Sequence, residues 1–308
     1  MTAPAPRIAV APQPAAFAVS AVEAGGGRVV DVEDSPDGLV WVSPRHLDEL
    51  RAALAAQRSI RWVQLPFAGV ERHVASGLID GGHLWTCAKG SYARPVAEHA
   101  LMLALAGLRG LPERIRAESW GKEGGVSLYG APVTILGGGG ITTELLRLMA
   151  PFEVAATVVR RSPSPVPGAA RTVAVEALDE VLPGSLVVFL ALALTPETRG
   201  IIGRSRMAAM GPSAWLVNVA RGGHVDTDAL VAALNAGELG GAALDVTDPE
   251  PLPAGHPLWS APNCIITPHT ADTWEMVVPL LSERIRVNVA RFAAGQPLEG
   301  VVDPEAGY

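Results

Sequence analysis

Short apolar runs alternate with helical periodicities along almost the whole chain, and no other feature constrains the fold as strongly. The runs are Arg7–Val10, Arg28–Val32, Gly38–Val42, Arg61–Leu65 and His83–Thr86, then Pro132–Leu136, Val154–Val159, Arg171–Val175, Leu186–Leu190, Trp215–Val219, Gly241–Val246 and Cys264–Thr267. Helical patterns separate them. In Pro44–Gln57, for example, Leu47, Leu50 and Leu54 recur at spacings of three and four, one face of a helix. This alternation builds parallel α/β sheets. The first five runs form one flavodoxin-like unit. A long helical stretch, Ala93–Glu118, with Pro95 near its start, crosses into a second unit, and the last helix, Trp274–Ala294, returns to the first. The expected fold is α/β, with two Rossmann/flavodoxin-like parallel-sheet domains and a cleft between them. One domain takes residues 1–93 plus 276–308 and the other takes 94–275.

A length of 308 residues suits two domains that each bury a core. With 49% apolar and 18% charged residues the chain reads as soluble and globular, and much of the apolar count is Ala. No apolar run reaches the roughly 18 residues needed to span a bilayer, so no membrane partner is expected. The first residues carry Pro4, Pro6, Pro12 and Pro14 and lack a charged start followed by an apolar core, so no signal peptide is expected. Cys87 and Cys264 lie far apart in apolar contexts and read as buried free thiols, which fits a cytoplasmic protein. A net charge of −7 without a basic stripe argues against a nucleic-acid partner. No metal site is expected.

Strand Val133–Leu136 runs into Gly137-Gly138-Gly139-Gly140-Ile141-Thr142 and then a helix. A tight turn at Gly137, close backbone approach at Gly139 and the N–H groups of the helix start, Gly140 to Thr142, suit a dinucleotide pyrophosphate. The third glycine place holds Thr142, which leaves close helix–strand packing open. The next strand ends in Arg160-Arg161-Ser162, where an NAD site would carry Asp or Glu. Two guanidiniums and a hydroxyl there pair with a 2′-phosphate instead, so NADP(H) is expected to be preferred, with NAD(H) possible. This makes 94–275 the nucleotide domain and leaves the discontinuous one for substrate.

Three strand ends near the C-terminus carry Arg221, Glu250 and His269. Singly, each is most simply a solvated loop residue. In an open α/β sheet, however, the C-terminal ends of strands face one crevice. There Arg221 can grip a carboxylate and polarise a carbonyl, His269 can move a proton, and Glu250 can orient and tune the imidazole. That set suits hydride transfer coupled to proton transfer. His99, within the crossover helix, reads as a packing or interface residue, and His256 as structural. Asp272 could line the cleft or cap the last helix, and the cap is the expected role.

The segments Asn218-Val219-Ala220-Arg221-Gly222-Gly223, Leu244-Asp245-Val246 through Glu250-Pro251-Leu252-Pro253, and Thr267-Pro268-His269 resemble the D-2-hydroxyacid dehydrogenase family. Leu194-Thr195-Pro196-Glu197-Thr198-Arg199-Gly200, His256-Pro257-Leu258-Trp259 and Pro262-Asn263 are similar to it as well, over about Trp62 to Asn288. The resemblance implies the same roles for Arg221, Glu250 and His269, a nicotinamide contact for Asp245, and a cofactor-lining role for Thr195, Asn218 and Ala220. It also implies that the loop Phe67-Ala68-Gly69 binds the substrate carboxylate through backbone N–H groups, with Phe67 near the substrate side chain, although an ordinary strand-to-helix turn explains Phe67 nearly as well. Tyr92 and Arg94 resemble hinge residues facing the cleft. The expected activity is that of a D-specific 2-ketoacid reductase similar to glyoxylate/hydroxypyruvate reductases. It would act on small 2-ketoacids or 2-hydroxyacids as a homodimer paired around Ala100–Leu108 with Trp120 near the partner. Alternatives are an NAD-dependent hydroxyacid dehydrogenase of serine or glycerate metabolism, disfavoured by Arg160 and Arg161, and a dinucleotide-sensing module without turnover.

Overall fold

The structure is a computed structural model that describes residues 4–43, 46–79 and 81–304. The chain divides into two compact units, one running to Tyr92 and resuming at Thr273, the other spanning Ala93–Asp272. The divisions fall at 92/93 and 272/273, where the sequence suggested 93/94 and 275/276.

The first unit holds five parallel strands: β1 (Arg7–Ala11), β2 (Arg28–Val30), β3 (Gly38–Trp41), β4 (Trp62–Gln64) and β5 (Leu84–Thr86). Their order is β2-β1-β3-β4-β5, the flavodoxin arrangement. Helices α1 (Ala16–Ala24), α2 (Leu47–Ala56) and α3 (Glu71–Ala75) connect the strands, and the C-terminal helix, numbered α10 (Trp274–Ala293), packs on α1. Pro44, where α2 was expected to start, lies outside the described residues. Every residue of β3 and β4 is buried, as parallel strands covered on both faces require. Trp62, Thr86, Gln64 and Asn288 form a polar chain inside this core. Trp62 Nε1 donates to Thr86 Oγ1 at 2.8 Å, and that hydroxyl donates to Gln64 Oε1 at 2.9 Å. Asn288 Nδ2, from α10, donates to the same oxygen at 2.8 Å. The network fixes α10 to the sheet from inside.

The second unit holds seven parallel strands: β6 (Pro132–Leu136), β7 (Ala155–Arg160), β8 (Arg171–Ala174), β9 (Val187–Leu190), β10 (Trp215–Asn218), β11 (Gly241–Leu244) and β12 (Cys264–Ile266). Their order is β12-β11-β10-β9-β6-β7-β8, the doubly wound Rossmann arrangement counted from β6. Helices α4 (Ala93–Leu108), α5 (Leu111–Ile115), α6 (Gly140–Met149), α7 (Leu178–Val181), α8 (Arg204–Met210) and α9 (Thr227–Ala236) accompany them. Asp226 caps α9, accepting from Ala229 N–H at 3.0 Å.

The stretch 93–118 was expected to be one helix, but it breaks. Gly110 turns left-handed (φ +61°), and a short helix containing Pro112 follows. The apolar run within α4 also turns inward. Ala100, Leu103, Ala104 and Leu108 are buried, and the helix packs on α6, β10 and β11. Apolar exposure shifts to its flank and the segment beyond: Met102, Leu111, Ile115, Trp120, Val126 and Tyr129 are exposed, Trp120 at 98%. Cys87 is buried and Cys264 half-buried, both as free thiols, and burial pushes the Cys264 thiol up to about 12. Among the described residues, no helix is long and apolar enough to cross a membrane, and no group of three His, Cys, Asp or Glu could hold a metal ion.

Candidate active site

Strands β10, β11 and β12 lie side by side and run parallel, so the segments that follow them leave the sheet at the same edge. After β10 the chain turns sharply, and the fully buried Asn218 holds the turn. Its Nδ2 donates to Arg221 O at 2.9 Å, and its Oδ1 accepts from Ala220 N–H at 3.0 Å. Both polar ends of Asn218 therefore help to shape the Arg221 turn. Gly222 lies so near β11 that a Cβ there would sit 2.0 Å from the Thr247 carbonyl, so a side chain would push Arg221 away from its neighbours. The half-buried Arg221 donates from its guanidinium to Ala220 O at 2.7 Å.

After β12, His269 Nδ1 lies 2.7 Å from Glu250 Oε1, a carboxylate carried by the segment after β11. The pair expected from sequence is therefore formed. His269 adopts φ +50°, left-handed backbone that costs an L-residue about 1–2 kcal/mol. Its N–H donates to Asp245 O at 2.8 Å and to Thr267 O at 3.0 Å, which fixes the turn.

Asp245 is the hub beneath this turn. It is 2% exposed, and both carboxylate oxygens meet donors. Oδ1 accepts from the Thr267 hydroxyl at 2.6 Å and Thr270 N–H at 2.9 Å, and Oδ2 accepts from Ala271 N–H at 3.1 Å. His99 Nε2, from α4, lies 3.3 Å from Oδ1 and 3.1 Å from Thr267 Oγ1. Burial pushes the Asp245 carboxyl up, but the hydrogen bonds from His99, Thr267, Thr270 and Ala271 outweigh it and hold it at about 2. The side chain expected to touch a nicotinamide also holds the His269 loop together. His99, expected to serve packing, belongs to the same cluster, although 168 residues separate it from Thr267.

Asp272 does not cap α10. The cap position is Thr273, without a side-chain bond, and Asp272 faces the site instead. Burial pushes its carboxyl up, the charges of His269 and Arg221 oppose this, and that of Asp245 adds to it. His224 is fully buried between Arg221 O (Nδ1, 3.0 Å) and Ala193 O (Nε2, 3.2 Å), tying the Arg221 turn to the loop after β9. No sequence pattern marked it. His256 has the structural place expected of it: its Nδ1 accepts from Leu258 N–H at 3.2 Å.

The glycine loop follows β6, between β9 and β7 in the sheet. Gly137 has φ +109°, and a Cβ there would lie 2.2 Å from Ala191 O, so the loop needs glycine to pass β9. Thr142 is buried, and its hydroxyl donates to Gly137 O at 2.8 Å. The threonine thus closes the turn, which removes the packing question its presence raised. A Cβ on Gly139 would meet nothing within 4 Å, so the loop presents bare backbone to open space at the start of α6. Gly140 is exposed there and Ile141 half-buried. A Cβ on Gly138 would fall 2.9 Å from Arg160 Cδ and 3.0 Å from its Nε, so Arg160 lies across the loop. Arg161 and Ser162 follow, both exposed. A cradle without side chains, a helix start and a guanidinium beside it fit a phosphorylated dinucleotide. Thr195, in the loop after β9, donates its N–H to Thr198 Oγ1 at 2.8 Å.

In the first unit, the loop after β4 is held by its carbonyls. Pro66 O accepts from the Tyr92 hydroxyl, Phe67 O from Ala88 N–H at 2.8 Å and Ala68 O from Cys87 Sγ at 3.5 Å. In a trans peptide the next N–H points opposite its carbonyl, so the N–H groups of Phe67, Ala68 and Gly69 point away from those partners. The Phe67 ring packs on His73, with centroids 4.6 Å apart. Tyr92 is buried, and Arg94 is exposed 3.7 Å from Glu144.

The family model for the D-isomer specific 2-hydroxyacid dehydrogenase NAD binding domain matches residues 99–271. The chain belongs to that family. It is thereby an NAD(P)-dependent oxidoreductase acting on CH–OH donors. It is 39% identical to an uncharacterized protein in the proB 3′ region of Corynebacterium melassecola, over 94% of this chain and 96% of that one. It is 36% identical to glyoxylate/hydroxypyruvate reductase A of Serratia proteamaculans, over 57% of this chain and 56% of that protein, so the match spans little more than half of the reductase. A D-isomer specific 2-hydroxyacid dehydrogenase from Xanthobacter autotrophicus, solved with NADPH and MES, superposes with a TM-score of 0.85 at 29% identity, covering 99% of this chain and all of that one.

The Asp245 cluster sets an acid limit on this site. The Asp245 carboxyl titrates near 2 when folded, against an ordinary 3.8. Its stabilisation is complete above the unfolded value and is lost as pH falls through the folded one, on the order of 2 kcal/mol. Asp245→Asn should flatten the dependence of unfolding free energy on pH between about pH 4 and pH 2. Denaturant titrations at a series of pH values check this, and parallel curves for the two proteins would contradict it.

Proposed function

We propose that this chain is a 2-ketoacid reductase, a D-2-hydroxyacid dehydrogenase working toward the alcohol, that prefers NADPH and accepts small 2-ketoacids of the glyoxylate and hydroxypyruvate class. The observation that carries this reading is the 2.7 Å His269–Glu250 pair, on strand ends adjacent to the one bearing Arg221. Glu250 holds Nδ1 of the imidazole, which leaves Nε2 to deliver a proton. Arg221 binds the substrate carboxylate and stabilises the charge that develops on the carbonyl oxygen. His269 donates its Nε2 proton to that oxygen. The N–H groups of Phe67, Ala68 and Gly69, turned away from the partners of the preceding carbonyls, would bind the substrate carboxylate. Gly137 to Thr142, with Arg160, Arg161 and Ser162, would hold the dinucleotide, whose chemistry when bound is hydride transfer. The reductase relatives and the NADPH-bound neighbour support the substrate class and the cofactor preference.

Absorbance of NADPH and NADH at 340 nm with glyoxylate, hydroxypyruvate, pyruvate and phenylpyruvate tests the whole reading. Tight NADPH binding with no consumption by any keto acid would indicate a sensor instead of an enzyme. His269→Ala is expected to lose about 10²–10⁴-fold in kcat with little change in NADPH binding. Glu250→Gln should fall between wild type and that variant, and Arg221→Ala should damage both keto-acid KM and kcat. A His269→Ala enzyme that turns over normally would remove the imidazole from the mechanism.

Cofactor preference rests on Arg160 across the glycine loop and on Arg161 beside it. Arg160→Asp combined with Arg161→Ala should weaken NADPH by about 1.5–3 kcal/mol and NADH far less. Equal kcat/KM for the two cofactors in wild type would refute the preference.

The exposed apolar side chains of 102–129, Ile115 and Trp120 foremost, suit a two-fold contact with a second copy, beside the expected Ala100–Leu108 run, in which Ala100, Leu103, Ala104 and Leu108 are buried. Light scattering should give a dimer at micromolar concentration, and Trp120→Glu with Ile115→Glu should give a 32.0 kDa monomer. A wild-type monomer would overturn this assembly.

A further inference from the structure

Everything that fixes His269 passes through one buried carboxylate, and α4 supplies a donor to that carboxylate. We propose that His99 is a positioning residue for His269, acting through Asp245 and Thr267. The inference rests on the proton-transfer role proposed for His269.

The hydrogen bonds set the direction of every proton in the cluster. Thr267 Oγ1 lies 2.6 Å from Asp245 Oδ1, and a carboxylate only accepts, so the hydroxyl gives its single proton there. The Thr267 oxygen can then only accept from His99, whose Nε2 lies 3.1 Å away. The same Nε2 is 3.3 Å from Asp245 Oδ1. His99 therefore carries its proton on Nε2 and shares it between the hydroxyl and the carboxylate, with 14% of its side chain exposed. One oxygen of Asp245 so gathers Thr267, Thr270 and His99, and the other is left to Ala271.

This arrangement reaches His269 through the backbone. Thr270 and Ala271 are its next two residues, and its own N–H is bonded to the Asp245 carbonyl. The segment 269–271 is thus wrapped around a single residue, and the wrapping holds His269 at φ +50°. Without the His99 donor, a buried carboxylate is short of one partner and swings to find another. The bonds to Thr270 and Ala271 then loosen, the left-handed turn relaxes, and the imidazole leaves its 2.7 Å alignment with Glu250. A displacement on the order of 1 Å at a reacting group costs about 10²-fold in rate. The glycine loop and Arg160 sit at the ends of other strands, β6 and β7, so the groups that would hold the phosphates of the dinucleotide stay in place.

Three substitutions separate this role from packing. Gln reaches as far as the imidazole Nε2 and keeps an N–H there. Asn is too short, and Leu fills space without a donor. The expected result is a kcat loss of about 10²-fold in His99→Leu, with a dissociation constant for NADPH, measured by fluorescence titration, within about twofold of wild type. His99→Gln should recover most of that kcat, and His99→Asn should not. Proton delivery should also become slower than hydride transfer in His99→Leu, raising the solvent deuterium isotope effect on kcat. If His99→Leu does not fold, the Gln and Asn variants alone decide, by the same kcat difference and isotope effect. Equal kcat in the Gln and Asn variants, or wild-type kcat in His99→Leu, would overturn the proposal. A fully active His269→Ala enzyme would instead bring down the functional reading on which it rests, so the two failures are distinguishable.

Discussion

A buried negative charge must be surrounded by donors or it will not remain charged, and Asp245 meets that condition with donors from four residues. Those donors come from three places: α4, the end of β12 and the segment after it. The carboxylate therefore cannot be satisfied unless helix, strand end and loop are all in place together. That one requirement brings the His269 turn, the Thr267 hydroxyl and the first turns of α4 into a single arrangement. Glu250 and Arg221 then complete the site from the two neighbouring strand ends.

The sheet explains why so few residues suffice. Parallel strands deliver their C-terminal ends to the same edge, and each strand that joins the sheet adds one loop to that edge. The proposed chemistry uses groups of three kinds, and the segments after β10, β11 and β12 each carry one. Local devices then aim them: Asn218 closes the turn before Arg221, Gly222 allows close approach to Thr247, and the backbone bonds of His269 hold its left-handed turn. None of these devices is itself reactive. They convert a generic strand end into a fixed direction.

Much of this was legible in the sequence. Strands were readable because parallel strands buried on both faces are continuous apolar runs, and all twelve appear close to their expected places. Arg221, Glu250 and His269 were readable because each follows such a run at a short, fixed distance. The helix break at Gly110 was hidden by apolar spacing that continues on both sides of it. His99 escaped because its partners lie far along the chain and nothing local in α4 announces them. Asn218 and Asp245 were recognised as important, but the loop-shaping bonds they make to Arg221, Ala220, Thr267, Thr270 and Ala271 were not foreseen. A motif shows that a residue matters, while burial decides whether its side chain faces a ligand or its own loop. Asp272 looked like a cap because Asp before a helix usually is one, yet the helix starts after Thr273, and burial set its environment.

The strand order has a consequence for how such a protein can diverge. Arg160 and Arg161 follow β7, while Arg221, Glu250 and His269 follow β10, β11 and β12, with β6 and β9 lying between the two groups. On the proposed cofactor reading, substitutions at the end of β7 would change which dinucleotide is welcome without passing through any residue that fixes the imidazole. Substitutions at His99 and Thr267 act on the His269 turn without touching Arg160 or Arg161. A lineage built on this sheet would be able to alter the hold on a ribose phosphate and the hold on the imidazole in separate, independently survivable steps.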